Sequence, residues 1–212
     1  MSHSGLIGKL SRACHRSILA VSYRLAPEHP FPAALEDGLK GYQWLLHHSH
    51  SPSDIAFVGS SAGGGLALAL SLKIKEKGLP QPSAIVSICP MVDLTFHSDS
   101  IERNKELDWV RLDRLAGSAK DYASGQDLTN PFISPFYGDF QGFPPLLVQV
   151  GEAEILRDGA VDVAQKAKKQ GVAVVLEEWP EMGHCWHLFA SRVPEGQKAI
   201  EHIGSFLNKF SS

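Results

Sequence analysis

The run Gly59-Ser60-Ser61-Ala62-Gly63-Gly64 contains the pattern G-x-S-x-G, set between an apolar stretch that reads as a strand and one that reads as a helix. A serine on so tight a strand-to-helix turn needs small neighbours, because strand and helix crowd it. Gly59, Gly63 and Gly64 meet that demand. Ser61 is therefore a candidate nucleophile with its hydroxyl directed into a cleft. The backbone N–H of Ala62, at the helix N-terminus, is the candidate oxyanion donor, since both the donor and the helix dipole favour negative charge there. Two blander readings compete. One is a glycine-rich turn kept for close packing; the other is a phosphate cradle, which would lack the G-K-[ST] ending of a P-loop.

A serine at its free pKa is a poor nucleophile and needs a base, and the base needs an orienting acid, in the chain order Ser, acid, His. Of the ten histidines, His184 lies five residues past an apolar run, Val172 to Trp179, that reads as a strand. Functional groups of parallel sheets gather at such strand ends. His29, His47, His48, His50 and His97 stand in polar contexts and read as solvated side chains, while His187, three residues beyond His184, is the serious competitor. Three carboxylates, Glu152, Glu154 and Asp158, follow another strand-like run, Leu146 to Val150. Asp158 stands where a helix starts and reads as a cap or dipole partner. Glu154 precedes His184 by 30 residues, an interval of one helix, one strand and two loops that brings the two loops side by side in a parallel sheet. Glu154 is the first choice for the acid and Asp158 the second. Cys185, beside His184 with no cationic partner evident, reads as an incidental thiol.

The elements that must position these groups alternate in type. Ser17–Tyr23, Ile55–Val58, Ala84–Ile88, Leu146–Val150 and Val172–Trp179 read as strands, the first of them buried. Helices are expected over Ala33–His48, from the glycine run to about Lys77, over Asp158–Gln170 and over Pro194–Phe210. Such alternation predicts an α/β fold, a mostly parallel sheet with helices on both faces. Residues 1–212 read as a single domain, interrupted at about 91–143 by a lid-like insertion with a short helix near Trp109–Ala123. Its Trp109, Tyr122, Phe132, Phe136 and Tyr137 could line an acyl pocket, but lid aromatics more often form the lid's own core. The cluster Lys166, Lys168 and Lys169 reads as a solvated helix end.

Composition bounds the partners. The 212 residues are 43% hydrophobic, enough for a core that needs neither disulfide nor metal. Twenty basic against 23 acidic residues give a net charge of -3 without runs of one sign, so no nucleic-acid or anionic-membrane partner is expected. The longest low-polarity run, Ala62 to Leu72, is about half a membrane span, so no transmembrane segment is expected. The basic residues Lys9, Arg12 and Arg16 are followed by only Ile18 to Val21, too short for a secretory signal. With three widely spaced cysteines, Cys14, Cys89 and Cys185, the expected setting is the reducing cytoplasm.

Taken together, VSYRLAPEHPFPAALED at Val21 to Asp37, GSSAGGGLA at Gly59 to Ala67, PMVD at Pro90 to Asp93, EILRDGA at Glu154 to Ala160 and the HCWH loop resemble the hormone-sensitive lipase group of α/β-hydrolases, the fold-3 group. The resemblance covers nearly the whole chain. It implies an α/β-hydrolase fold with Ser61 as nucleophile, His184 as base and Glu154 as acid, Glu154 taking the first position of the group's D-P-L-R-D motif and Asp158 the second aspartate. It further implies a carboxylesterase acting on short- to medium-chain acyl esters, without metal or cofactor, and a homodimer built through the last strand, Val172–Trp179.

Two departures stand out. Ser60 occupies a position that is commonly Asp. The group's H-G-G-G motif, which supplies further oxyanion donors, is absent, so the resemblance implies a member truncated before Met1 and lacking the first strands. On that reading Ser17–Tyr23 has lost both strand neighbours and the strand at Ile55–Val58 exposes an edge. The competing expectations are a noncatalytic ligand-binding member of the same group and an inactive, poorly folding fragment.

Overall fold

The computed structural model describes residues 3–210. Four strands, β1 (Ala56–Ser60), β2 (Ala84–Ile88), β3 (Leu146–Gly151) and β4 (Val174–Trp179), form one sheet in the order β1-β2-β3-β4, and every pair is parallel. Sequence order and spatial order coincide, so all four strands end at one edge of the sheet. The loops leaving that edge carry Ser61, Cys89, Glu154 and His184.

Every residue of β2 and β3 is buried, as expected for inner parallel strands covered on both faces. Alternate side chains serve opposite layers. Ala84, Val86 and Ile88 pack with helices α1 (Ser4–Cys14) and α7 (Pro194–Leu207). Ile85, Val148 and Val150 pack on the other side with α3 (Ala62–Glu76) and α6 (Arg157–Lys169). Helix α2 (Ala33–His47) adds Leu35, Leu39 and Tyr42 against Ile55 and the outer face of α3.

One strand expectation is corrected. Ser17–Tyr23 forms no ladder among the described residues, and Ile18, Leu19 and Val21 are 40–50% exposed. Its β-branched composition suits a strand, but a strand persists only with a neighbour to complete its backbone hydrogen bonds, and β1 pairs with β2 alone. The segment is instead tied to α2, where the backbone N–H and guanidinium of Arg24 both donate to the Asp37 carboxylate. The free side of β1 leaves Val58 38% exposed.

Between β2 and β3 lie two helices, α4 (Ser100–Arg103) and α5 (Leu112–Ala123). Phe132 and Phe136 pack onto the core and Tyr122 onto the small cluster around Leu94 and Ile133, in line with the bland reading of these aromatics. A cavity of about 380 Å³ between Leu94–Phe96 and α5 is lined by none of the five aromatics. Lys166 departs from the solvated role expected of it: its ammonium donates to the Phe136 carbonyl at 2.8 Å and lies over the Phe136 and Phe140 rings.

Asp158, in the first turn of α6, accepts from the Ser100 N–H at 2.8 Å, from Arg103 at 2.8 Å and from Arg157 at 2.7 Å. It therefore fastens α4 to α6. Burial works against its carboxylate, but the two arginines outweigh it and hold its pKa below the ordinary 3.8. Asp158→Ala is expected to cost about 1–3 kcal/mol in urea denaturation at neutral pH. A lowered folded-state pKa stabilises only above the unfolded value, so the gap between wild type and variant should close as pH falls below 3.8.

Candidate active site

Ser61 follows β1 directly and has φ 55° and ψ −120°, a conformation that side chains rarely adopt. Its N–H donates to the Ile88 carbonyl at 2.8 Å, and its own carbonyl accepts from Gly64, Gly65 and Met91 at 3.0–3.1 Å. These bonds to β2, to the first turn of α3 and to the loop after Pro90 hold the strained residue in place. The turn is also close: a Cβ on Gly59 would lie 2.0 Å from the Gly63 carbonyl oxygen. Gly59 is thus required for approach of strand to helix. Ala62 is exposed and opens α3, where its N–H has no intrahelical acceptor.

Glu154 lies three residues past β3 and is fully buried. One carboxylate oxygen accepts from the Gly151 N–H at 2.6 Å, and the other is 2.8 Å from His184 Nδ1. The opposite ring nitrogen, His184 Nε2, is 2.9 Å from Ser61 Oγ. Three groups predicted from spacing and order thus meet in one continuous chain of hydrogen bonds. Gly151 admits the loop, since a Cβ there would lie 2.0 Å from the Met182 carbonyl oxygen.

The chain has the electrostatics of a base with an orienting acid. Burial disfavours the imidazolium of His184, but neighbouring Cys185 and Glu154 outweigh it and hold the pKa above the ordinary 6.5. His187 behaves in the opposite way, with burial and the nearby His184 charge pushing it down to about 3. His187 is neutral, and its Nε2 lies 2.8 Å from Gln149 Oε1, away from Ser61. Cys185 is less incidental than its sequence context suggests. Its sulfur neighbours Cys89 and the His184 imidazole, and both lower its pKa against the effect of burial.

Sequence reasoning missed a set of clamps from the segment between β2 and β3. Asp108, nearly buried, accepts from Ile155 N–H at 2.9 Å and from His184 N–H at 3.3 Å, joining the acid loop to the histidine loop. The Asn104 amide donates to the carbonyls of Glu152 and Glu154, both at 2.8 Å. Trp109, although 63% exposed, donates its indole N–H to the His184 carbonyl at 2.8 Å. A signal was present in the polar residues Ser100, Asn104 and Asp108 at four-residue intervals, which share one face of a helical path. What that face met was not legible.

A family model described as alpha/beta hydrolase fold matches residues 1–188. An acetyl-hydrolase of Streptomyces hygroscopicus is 42% identical over 210 residues, covering 97% of this chain and 69% of that protein. An esterase of Acinetobacter venetianus is 35% identical, with coverage of 97% and 68%. Among solved structures, an esterase from the bacterial hormone-sensitive lipase family superposes with a TM-score of 0.97 at 42% identity, covering 99% of this chain and 71% of that one. A crystal of another esterase, soaked with p-nitrophenyl butyrate, gives 0.96 at 40% identity, with coverage of 98% and 70%.

Asp108→Ala strands the N–H groups of Ile155 and His184. The expected loss is about 2–3 kcal/mol in urea denaturation, together with broadening of the downfield proton resonance of the His184–Glu154 hydrogen bond. Asp108→Asn, which keeps an acceptor oxygen, should lose less.

Proposed function

Because the chain belongs to the hormone-sensitive lipase family of α/β-hydrolases, we propose that it is a serine carboxylesterase that cleaves short- to medium-chain acyl esters through Ser61, His184 and Glu154. The observation that carries this reading is the relay Ser61 Oγ, His184 Nε2, His184 Nδ1, Glu154 Oε2, with links of 2.9 and 2.8 Å. The relatives' printed activities, acetyl-hydrolase and esterase, support the ester class of substrate.

Each step follows from a residue's chemistry. His184 Nε2 takes the Ser61 proton as Oγ attacks the ester carbonyl, and Glu154 stabilises the imidazolium that forms. The oxyanion builds up beside the Ala62 N–H and the positive end of α3. Collapse of the tetrahedral species passes the proton from His184 to the leaving alcohol and leaves an acyl group on Ser61. Water, deprotonated by the same imidazole, then attacks the acyl-enzyme and regenerates Ser61.

On this reading residues 1–212 form one hydrolase domain, in which 91–143 is the lid-like insertion. It clamps the loops of Glu154 and His184 through Asn104, Asp108 and Trp109. Two copies pair through the free edge of β4, where Val175 is exposed, a part of the proposal that light scattering after size-exclusion chromatography checks. Among the described residues no helix is long and apolar enough to cross a membrane.

The test is hydrolysis of p-nitrophenyl butyrate by the purified chain beside Ser61→Ala and His184→Ala, with circular dichroism to establish folding. Each variant should lose about 10⁴-fold or more in kcat. A folded chain with no turnover above that of Ser61→Ala would overturn the esterase reading and favour the noncatalytic ligand-binding one. The raised His184 pKa carries its own sign. The free base grows as pH rises, so kcat/KM should climb with pH beyond 6.5 before levelling, and Glu154→Gln should move that limb to lower pH.

A further inference from the structure

Cys89 and Cys185 have no part in ester cleavage, yet both are buried against the candidate base. We propose that Cys89, Cys185 and His184 form a binding site for a thiophilic divalent cation such as Zn²⁺ or Cd²⁺, and that its occupation switches the relay off. The two sulfurs and a ring nitrogen of His184 all lie within 4.8 Å of one another. Tetrahedral zinc, with bonds of about 2.3 Å to sulfur and 2.0–2.1 Å to nitrogen, holds such donors about 3.5–3.8 Å apart. A contraction of about 1 Å therefore closes the site. Two thiolates and an imidazole are a soft donor set, which selects such ions over Mg²⁺ or Ca²⁺.

The donors are held from three directions. Cys89 follows β2, and its N–H donates to the Gln149 carbonyl at 2.7 Å. Cys185 stands 96 residues away in sequence, yet its N–H donates to Cys89 Sγ at 3.2 Å, which locks the two sulfur-bearing loops together. The His184 backbone is anchored through Asp108 and Trp109. Buried Glu154 adds a negative charge beside the donors, so a dication entering this low-dielectric space meets its counter-charges. Each thiol binds as thiolate, its proton passing to solvent, and no electron is transferred.

The functional consequence follows from the imidazole having only two nitrogens. One is hydrogen-bonded to Ser61 and the other to Glu154. Ligation through either removes the base from its nucleophile or from its acid. This consequence rests on the proposed esterase reading, whereas binding itself does not.

Binding is read by titrating the reduced 212-residue protein with Cd²⁺ and following the ultraviolet charge-transfer absorption of cadmium–thiolate bonds, with stoichiometry from calorimetry. One equivalent should bind. The band should fall in Cys89→Ala and in Cys185→Ala, and persist in Cys14→Ala, which removes the third thiol, outside the donor set. Either cysteine variant that folds decides the point. Zn²⁺ in excess should compete with Cd²⁺ for the same site, and at saturation lower p-nitrophenyl butyrate turnover by about 10³-fold or more, an inhibition that EDTA reverses. Absence of the band, or a band or inhibition undiminished in either cysteine variant that folds, overturns the proposal. A one-to-one cysteine-dependent band in a protein without Ser61-dependent turnover would support the cation site and remove the esterase reading.

Discussion

A carboxylate with no exposure to water must find all its partners within the protein, and Glu154 finds them in the Gly151 N–H and the His184 imidazole. That buried pair sets the demands on the rest of the molecule. The loops after β3 and β4 must run side by side, so their backbones are laced together: Glu152 N–H donates to the Trp179 carbonyl and Ala153 N–H to the Met182 carbonyl. Gly151 must lack a side chain for the same reason. The imidazole, turned by Glu154, then presents Nε2 to Ser61.

The parallel sheet makes this economical. Four strands running the same way bring every following loop to one edge, so groups more than a hundred residues apart in sequence need only short loops to meet. The inner strands β2 and β3 are sealed on both faces, which gives the edge a rigid base. Rigidity matters at Ser61, whose backbone strain persists because bonds to Ile88, Gly64, Gly65 and Met91 over-determine it. The segment between β2 and β3, largely polar and irregular, reaches back over this edge and closes the loops from outside.

The packing of β2 and the histidine loop also brings two thiols against the imidazole. Cys89 and Cys185 are both buried there, and the Cys185 N–H donates to Cys89 Sγ. The proposed general base and the proposed soft-metal donor set thus share one histidine, whose imidazolium Cys185 and Glu154 favour against the effect of burial.

Much of this was legible in the residues. Periodicity set the four paired strands and the long helices to within a few positions, because buried parallel strands are continuous apolar runs and the helices carry amphipathic faces. That Ser61, Glu154 and His184 would meet was legible because the G-x-S-x-G turn carries an expected chain order, and because a 30-residue interval in a βαβ unit brings the two later loops side by side. Tertiary structure alone decided three matters. Ser17–Tyr23 has strand composition but forms no ladder, since pairing depends on a neighbour and not on propensity. Asp108, Asn104 and Trp109 became clamps only when the fold laid their segment over the two loops. Cys89 and Cys185, 96 residues apart, acquired each other as neighbours through the sheet. Sequence carries the local periodicities and the chemistry of each side chain; which distant side chains share one buried volume is settled by packing.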